Sequence, residues 1–164
     1  MHFSKKQDTK TTLVLGVGNL CRKDDGVGIH VIRGLERVGV PGSVRLLDGG
    51  TAGIDLVTYM EDIDRLIVVD ALIADGRPGD IKILTEEEKE VDYFLSGHIG
   101  RLNDILDMTA ALWNRPETII VGIIPADCEG YGDDLSAEVC PAVDRAVSLI
   151  SEILLMPCIE PGIG

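Results

Sequence analysis

Residues 11–38 read TTLVLGVGNLCRKDDGVGIHVIRGLERV, and this stretch decides the fold of the chain. Thr11–Leu15 is typical of a buried β-strand, and the pattern stops at Gly16. Beyond a glycine-rich loop, apolar residues recur at the spacing of one helix face: Val27, Val31, Leu35 and Val38. The stretch therefore predicts a strand, a glycine loop and a helix.

The same alternation of strand and helix continues along the chain. Further strands are predicted at 43–48, 65–71, 80–84 and 118–124. The strand at 80–84 follows a turn containing Pro78, so we expect it at the sheet margin or paired antiparallel. Helices are predicted over 54–60, from Ser96 to Trp113, and over 139–154, with Ser96 and Ser136 as N-caps.

This order of elements predicts an α/β fold with a three-layer sandwich architecture. A mainly parallel, twisted sheet of about five strands would carry helices on both faces. The chain has 164 residues and is 45% hydrophobic, which suits a single compact domain over residues 11–155. We expect residues 1–10 to form a flexible N-terminal segment and residues 156–164 a flexible tail.

Composition narrows the possible partners. The formal net charge is −13 and no basic stripe is present, so nucleic acid is not an expected partner. Four cysteines without a CxxC pair suggest reduced thiols. The first ten residues contain no apolar signal-peptide core, and no later run is long enough to span a membrane. We expect a cytoplasmic monomer that does not bind membranes.

Polar side chains follow the predicted strands at the edge where open α/β sheets build their sites. Asp24 and Asp25 lie in the first glycine loop, Asp70 ends the apolar strand at 65–71, and His98 lies near a helix start. A carboxylate in the position of Asp70 has to be paired, hydrogen-bonded or bound to a metal. Asp25, Asp70 and His98 together would form a metal site with open coordination positions.

Each of these residues also has a purely structural interpretation. Asp24 could cap a helix, Asp70 could bind backbone amides, and His98 could be an ordinary residue of a helix start. Asp48 could stabilise the glycine turn that follows it. The glycines could simply permit tight turns and close helix packing: Gly16, Gly18, Gly26 and Gly28.

Other chemistries fit the sequence poorly. A dinucleotide fingerprint needs a third glycine or alanine where Cys21 stands, and adjacent acids at the helix start would repel a pyrophosphate. No Walker sequence and no Gly-x-Ser-x-Gly elbow is present. Cys21 lies in the right loop for a nucleophile but has no evident base partner. We therefore expect no nucleotide cofactor.

Several motifs in order resemble those of the hydrogenase maturation proteases, over about residues 12–155. The matching stretches are LVLGVGN at 13–19, DDGVG at 24–28, LDGGTAG at 47–53, IVVDA at 67–71, SGH at 96–98, DIL at 104–106 and VGIIP at 121–125. The resemblance implies a cytoplasmic endopeptidase that removes a C-terminal extension from the precursor of a [NiFe]-hydrogenase large subunit.

The resemblance also implies roles for particular residues. Asp25, Asp70 and His98 would contact nickel that the precursor carries, and Asp25 or Asp70 is a candidate water-activating carboxylate. The metal could instead activate the water, or serve only for docking. Loop residues would support the site or contact the substrate: Gly16, Gly18, Asn19, Asp24, Gly26, Asp48, Gly49 and Gly50. The alternative is a nickel-binding or metallochaperone module on the same fold that cuts nothing.

Overall fold

A computed structural model describes residues 10–85 and 102–158 of the chain. In this part the strands are β1 (Thr12–Val17), β2 (Val44–Gly50), β3 (Arg65–Ala71), β4 (Ile81–Thr85) and β5 (Glu117–Ile123). They form one five-stranded sheet in the order β2-β1-β3-β5-β4. The pairs β1–β2, β1–β3 and β3–β5 are parallel, and β4 is antiparallel to β5 at one edge. The predicted marginal strand is confirmed.

The described helices are α1 (Val27–Val38), α2 (Leu102–Leu112) and α3 (Cys140–Leu155), with short 3-10 helices at Lys23–Gly26 and Gly53–Tyr59. Buried residues of α1 and α3 share one core cluster, whereas α2 and the second 3-10 helix contribute to another. These clusters lie on opposite faces of the sheet, so the predicted three-layer α/β architecture is confirmed.

Helices cover both faces of the sheet. Because successive strand residues point to opposite sides, each strand contributes to both cores. On β3, Leu66 and Val68 join the cluster that contains α2, whereas Ile67 and Val69 join the cluster of α1 and α3. The near-continuous apolar run of β3 follows from this double burial.

Arg65 connects the amino edge of the sheet to the end of α3 through an ion pair and hydrogen bonds. The side chain is only 3% exposed, and its Nε lies 2.8 Å from Oε2 of Glu117 on β5. Its other guanidinium nitrogens donate to the backbone carbonyls of Ile153, Met156 and Pro157. One buried cation therefore stabilises the junction of β3, β5 and α3.

Two details of the predicted helices are wrong. Val38, assigned to the buried face of α1, is 64% exposed because the helix end extends beyond the core. Ser136 does not cap α3: the cap position is Val139, and the backbone carbonyl of Ser136 accepts the N–H groups of Val139 and Cys140.

Some predictions fall outside the described residues. The predicted helix start at Ser96, with His98, is among them. All four cysteines are described and are free thiols, as predicted. In the two described ranges, every helix is too short or too polar to span a bilayer.

Candidate functional site

The loop between β1 and α1 folds back tightly on itself at the carboxyl edge of the sheet. Gly18 has φ +130°, and a Cβ there would lie 1.8 Å from the carbonyl oxygen of Asp25. Only glycine permits both this conformation and this approach. The turn lets the N–H of Asn19 donate to Oδ2 of Asp25 at 2.9 Å. A Cβ on Gly26 would also meet Cα of Leu20 at 2.9 Å.

Helix α1 starts directly against the ends of β1 and β3. A Cβ on Gly28 would lie 2.2 Å from the carbonyl oxygen of Val69 and 2.7 Å from that of Val17. A Cβ on Gly16 would lie 2.5 Å from the carbonyl oxygen of Gly28. These glycines bring the first turn of α1, with Asp25 just before it, to the edge at which Asp70 ends β3.

Asp25 and Asp70 are both buried, with exposed fractions of 4% and 0%. Oδ1 of Asp70 accepts the N–H of Ala71 at 2.7 Å, so this carboxylate does bind a backbone amide, as one hypothesis held. Strand alternation places Asp70 on the same face as Leu66 and Val68, the face on which α2 packs. The backbone therefore fixes the orientation of two carboxylates at one sheet edge.

Asp24 does not cap a helix, in contrast to the structural interpretation of the sequence. Its carboxylate is fully buried and accepts three backbone N–H groups from the segment between β5 and α3: Ala126 at 2.9 Å, Asp127 at 2.9 Å and Ser136 at 2.7 Å. These donors lie 102 to 112 residues away along the chain. Asp24 therefore joins two loops of the carboxyl edge.

Lys23 and Asp127 form a second link between the same loops. Lys23 has φ +49°, a left-handed conformation that non-glycine residues rarely adopt, and its Nζ lies 2.7 Å from Oδ2 of Asp127. Oδ1 of Asp127 accepts the N–H groups of Glu129 and Gly130. The lysine and these amides lower the pKa of Asp127 to about 2, while Asp127 raises the pKa of Lys23.

The glycine-rich end of β2 supports the first loop. Oδ1 of Asp48 accepts the N–H of Gly50 at 3.1 Å, which confirms its structural interpretation. Gly50 has φ +48°, and its carbonyl accepts the N–H of Gly18 at 3.0 Å. Gly49 lies against the sheet, where a Cβ would meet Cδ1 of Leu15 at 2.6 Å.

Cys128 is a site neighbour that the sequence interpretation missed. It is half-buried in the loop after β5, and burial, followed by the charges of Asp25, Asp24 and Asp70, raises its pKa to about 12. At neutral pH the residue is a thiol, which is a poor nucleophile. The sequence signal that could have indicated Cys128 as a site neighbour is its position shortly after a strand of the parallel sheet.

The described residues supply part of the predicted ligand set. Asp25 and Asp70 lie at the same edge, and both charges act on the thiol of Cys128. Within residues 10–85 and 102–158, no three His, Cys, Asp or Glu side chains are grouped closely enough to hold a metal ion. His98, the third predicted ligand, lies outside these ranges.

Comparison with known proteins identifies the family. The family model described as hydrogenase maturation protease, HycI, matches residues 29–153. The HupD hydrogenase expression/formation protein of Bradyrhizobium diazoefficiens is 32% identical over 160 residues, covering 91% of this chain and 82% of the relative. The hydrogenase 2 maturation protease of Escherichia coli K12 is 34% identical, covering 85% and 90%.

A solved structure agrees with these sequence relatives. The hydrogenase maturating endopeptidase HybD of E. coli superimposes with a TM-score of 0.77 at 31% identity, covering 88% of this chain and 91% of that chain. The chain therefore belongs to the hydrogenase maturation protease family and is a peptide hydrolase.

Proposed function

We propose that this peptidase removes the C-terminal extension from the nickel-loaded precursor of a [NiFe]-hydrogenase large subunit. The observation that carries the proposal is the pair of buried carboxylates, Asp25 and Asp70, held at one sheet edge of a chain of this family. Burial of two acids costs free energy that packing alone does not justify, and such groups are concentrated at functional sites.

Recognition of the precursor would depend on its metal. Asp25, Asp70 and His98 would contact nickel that the precursor already holds, because carboxylate and imidazole groups suit a borderline divalent ion. His98 shortly precedes α2 in sequence, and α2 packs on the face to which Asp70 belongs. Three ligands leave coordination positions for groups of the precursor and for water. A precursor without nickel would lack the atom that these side chains bind.

The hydrolytic step requires addition of water to the scissile carbonyl carbon, followed by cleavage of the C–N bond and protonation of the leaving amine. Asp25 and Asp70 are the candidates for accepting the proton of that water, since both are buried carboxylates of fixed orientation. The precursor's nickel could also acidify the water or polarise the carbonyl. A variant that binds the loaded precursor normally but fails to cut it would assign the residue to proton transfer.

Intact-mass measurement of purified protein mixed with precursor tests the proposal. We expect loss of the C-terminal extension from nickel-loaded precursor and none from nickel-free precursor. Asp25→Asn, Asp70→Asn and His98→Ala should each lower the cleavage rate about 100-fold or more. Asp144→Asn, which changes an exposed carboxylate on α3, serves as the matched control and should cleave normally.

Equal cleavage of loaded and nickel-free precursor would contradict the metal checkpoint. Tight binding of the loaded precursor with no change of mass would instead support the metallochaperone alternative. Normal cleavage by the three variants would show that the catalytic site lies elsewhere in the chain.

A further inference from the structure

We infer that Asp24 is a positioning residue for peptide hydrolysis, which it serves by holding the loop of Asp25 in place. The inference rests on the proposed role of Asp25. Its structural basis is the loop clasp, defined here as Lys23, Asp24 and Asp127 with their bonds between the β1–α1 loop and the β5–α3 segment.

The two neighbouring acids have different surroundings. Both oxygens of Asp24 are engaged by backbone N–H groups: Oδ2 by Ala126 and Asp127, and Oδ1 by Ser136. A carboxylate has about four acceptor positions, so three of those of Asp24 are committed to the backbone. Oδ2 of Asp25 accepts the N–H of Asn19, inside its own loop. Asp24 therefore anchors the loop that carries Asp25 to the β5–α3 segment.

Backbone hydrogen bonds in both directions also join the two segments of the loop clasp. The N–H of Asp24 donates to the carbonyl of Asp127 at 3.1 Å, and the N–H of Lys23 donates to the carbonyl of Gly132 at 2.8 Å. The N–H of Gly132 in turn donates to the carbonyl of Cys21 at 3.0 Å. The left-handed conformation of Lys23 persists because these contacts and Asp127 hold it.

Loss of the Asp24 carboxylate should displace Asp25 without removing it. In Asp24→Asn an amide NH₂ replaces one acceptor oxygen, so at least one backbone N–H would face another donor. The β1–α1 loop would then shift relative to the β5–α3 segment, to which the remaining backbone bonds still hold it. A displacement of about 1 Å at a reacting group lowers turnover about 100-fold.

The test compares Asp24→Asn with Glu117→Gln, a control that weakens the Arg65 ion pair at the opposite edge of the sheet. Cleavage of nickel-loaded precursor is measured in single turnover with protein in excess, and amide hydrogen exchange is measured at Ala126, Asp127 and Ser136. We expect Asp24→Asn to lower the cleavage rate of the bound precursor about 10- to 100-fold and to accelerate exchange at these amides. Glu117→Gln should do neither.

The inference fails if exchange accelerates but the cleavage rate per folded molecule stays within about twofold of wild type. It also fails if Glu117→Gln, at equal thermal stability, loses the same activity. Should Asp24→Asn not fold, Asp24→Glu carries the test, since it keeps a carboxylate but displaces it from the three backbone amides. Faster exchange with an unchanged cleavage rate overturns the inference there too. Wild type and Asp25→Asn are measured in the same experiment. Failure of wild type to cleave, or normal cleavage by Asp25→Asn, would reject the proposed function and not this inference alone.

Discussion

Two adjacent aspartates in the first loop have different hydrogen-bond partners because of their positions, although their side chains are the same. Asp24 and Asp25 are chemically identical, and both are buried. Asp24 takes N–H donors from a segment that joins the loop only in the folded chain, whereas Asp25 takes the N–H of Asn19, nearby in sequence. The same side chain therefore takes backbone donors from a distant segment at one position and from its own loop at the next.

The ion pair of Asp127 and Lys23 predicts a pH dependence of stability. The pKa of Asp127 is lowered from its ordinary value of 3.8 to about 2, so its stabilising contribution is complete above the ordinary value and is lost as pH falls through about 2. We expect wild type to lose more stability than Asp127→Asn between about pH 4 and about pH 2. Urea denaturation across this pH range measures the difference.

Asp144→Asn is the control for that experiment, since Asp144 lies exposed on α3. Its stability should run parallel to that of wild type over the acid range. Added salt should narrow the gap between wild type and Asp127→Asn, because both partners of the pair are more than a third exposed. A gap that widens as the pH falls would contradict the assignment.

At the scale of elements, the contact of α1 with two strand ends depends on the absence of a side chain at one position. A Cβ on Gly28 would approach backbone atoms of Val69 and Val17, and backbone atoms cannot move aside as a flexible side chain can. The start of α1, and with it the loop of Asp25, is therefore set by the missing Cβ.

Gly28→Ala should destabilise the protein by about 3 kcal/mol or more, because α1 has to shift from the sheet. The matched control is Gly42→Ala, where an added Cβ meets nothing within 4 Å; this change should stay within about 0.5 kcal/mol of wild type. Thermal or urea unfolding measures both. Equal stability of the two variants would mean that α1 tolerates a looser contact than the structure describes.

For the molecule as a whole, the carboxyl and amino edges of the sheet hold different groups of polar side chains. The carboxyl edge holds Asp25, Asp70 and the loop clasp. The amino edge holds Arg65, which joins β3 to Glu117 of β5 and to the carbonyls at the end of α3. If cleavage takes place at the carboxyl edge, as we propose, a change at the amino edge should alter stability without altering the cleavage rate.

Arg65→Ala tests this separation. Removal of one partner of a largely buried ion pair should lower the free energy of unfolding by about 3 kcal/mol, since Glu117 and several carbonyls lose their donor. At a temperature where the variant is folded, its cleavage rate per folded molecule should equal that of wild type. A matching loss of cleavage at that temperature would show that the edges are coupled.

The amino-acid sequence by itself determined the α/β class, the five strands of the described sheet, the marginal position of β4 and the presence of Asp25 and Asp70 at the carboxyl edge. These features follow from local periodicity and from the glycines that end strands, both of which act between neighbours along the chain. The resemblance of ordered motifs added the family, which the comparisons confirmed.

Only the tertiary structure decided which partners the buried polar groups find. The three amides on Asp24 come from beyond β5, the Ser136 N–H serves Asp24 while its side chain caps no helix, and Cys128 lies among the acids. A hydrogen bond depends on which groups come within about 3 Å after packing. Residues more than 100 positions apart reach that distance only through the complete arrangement of sheet and helices, so no local pattern encodes them.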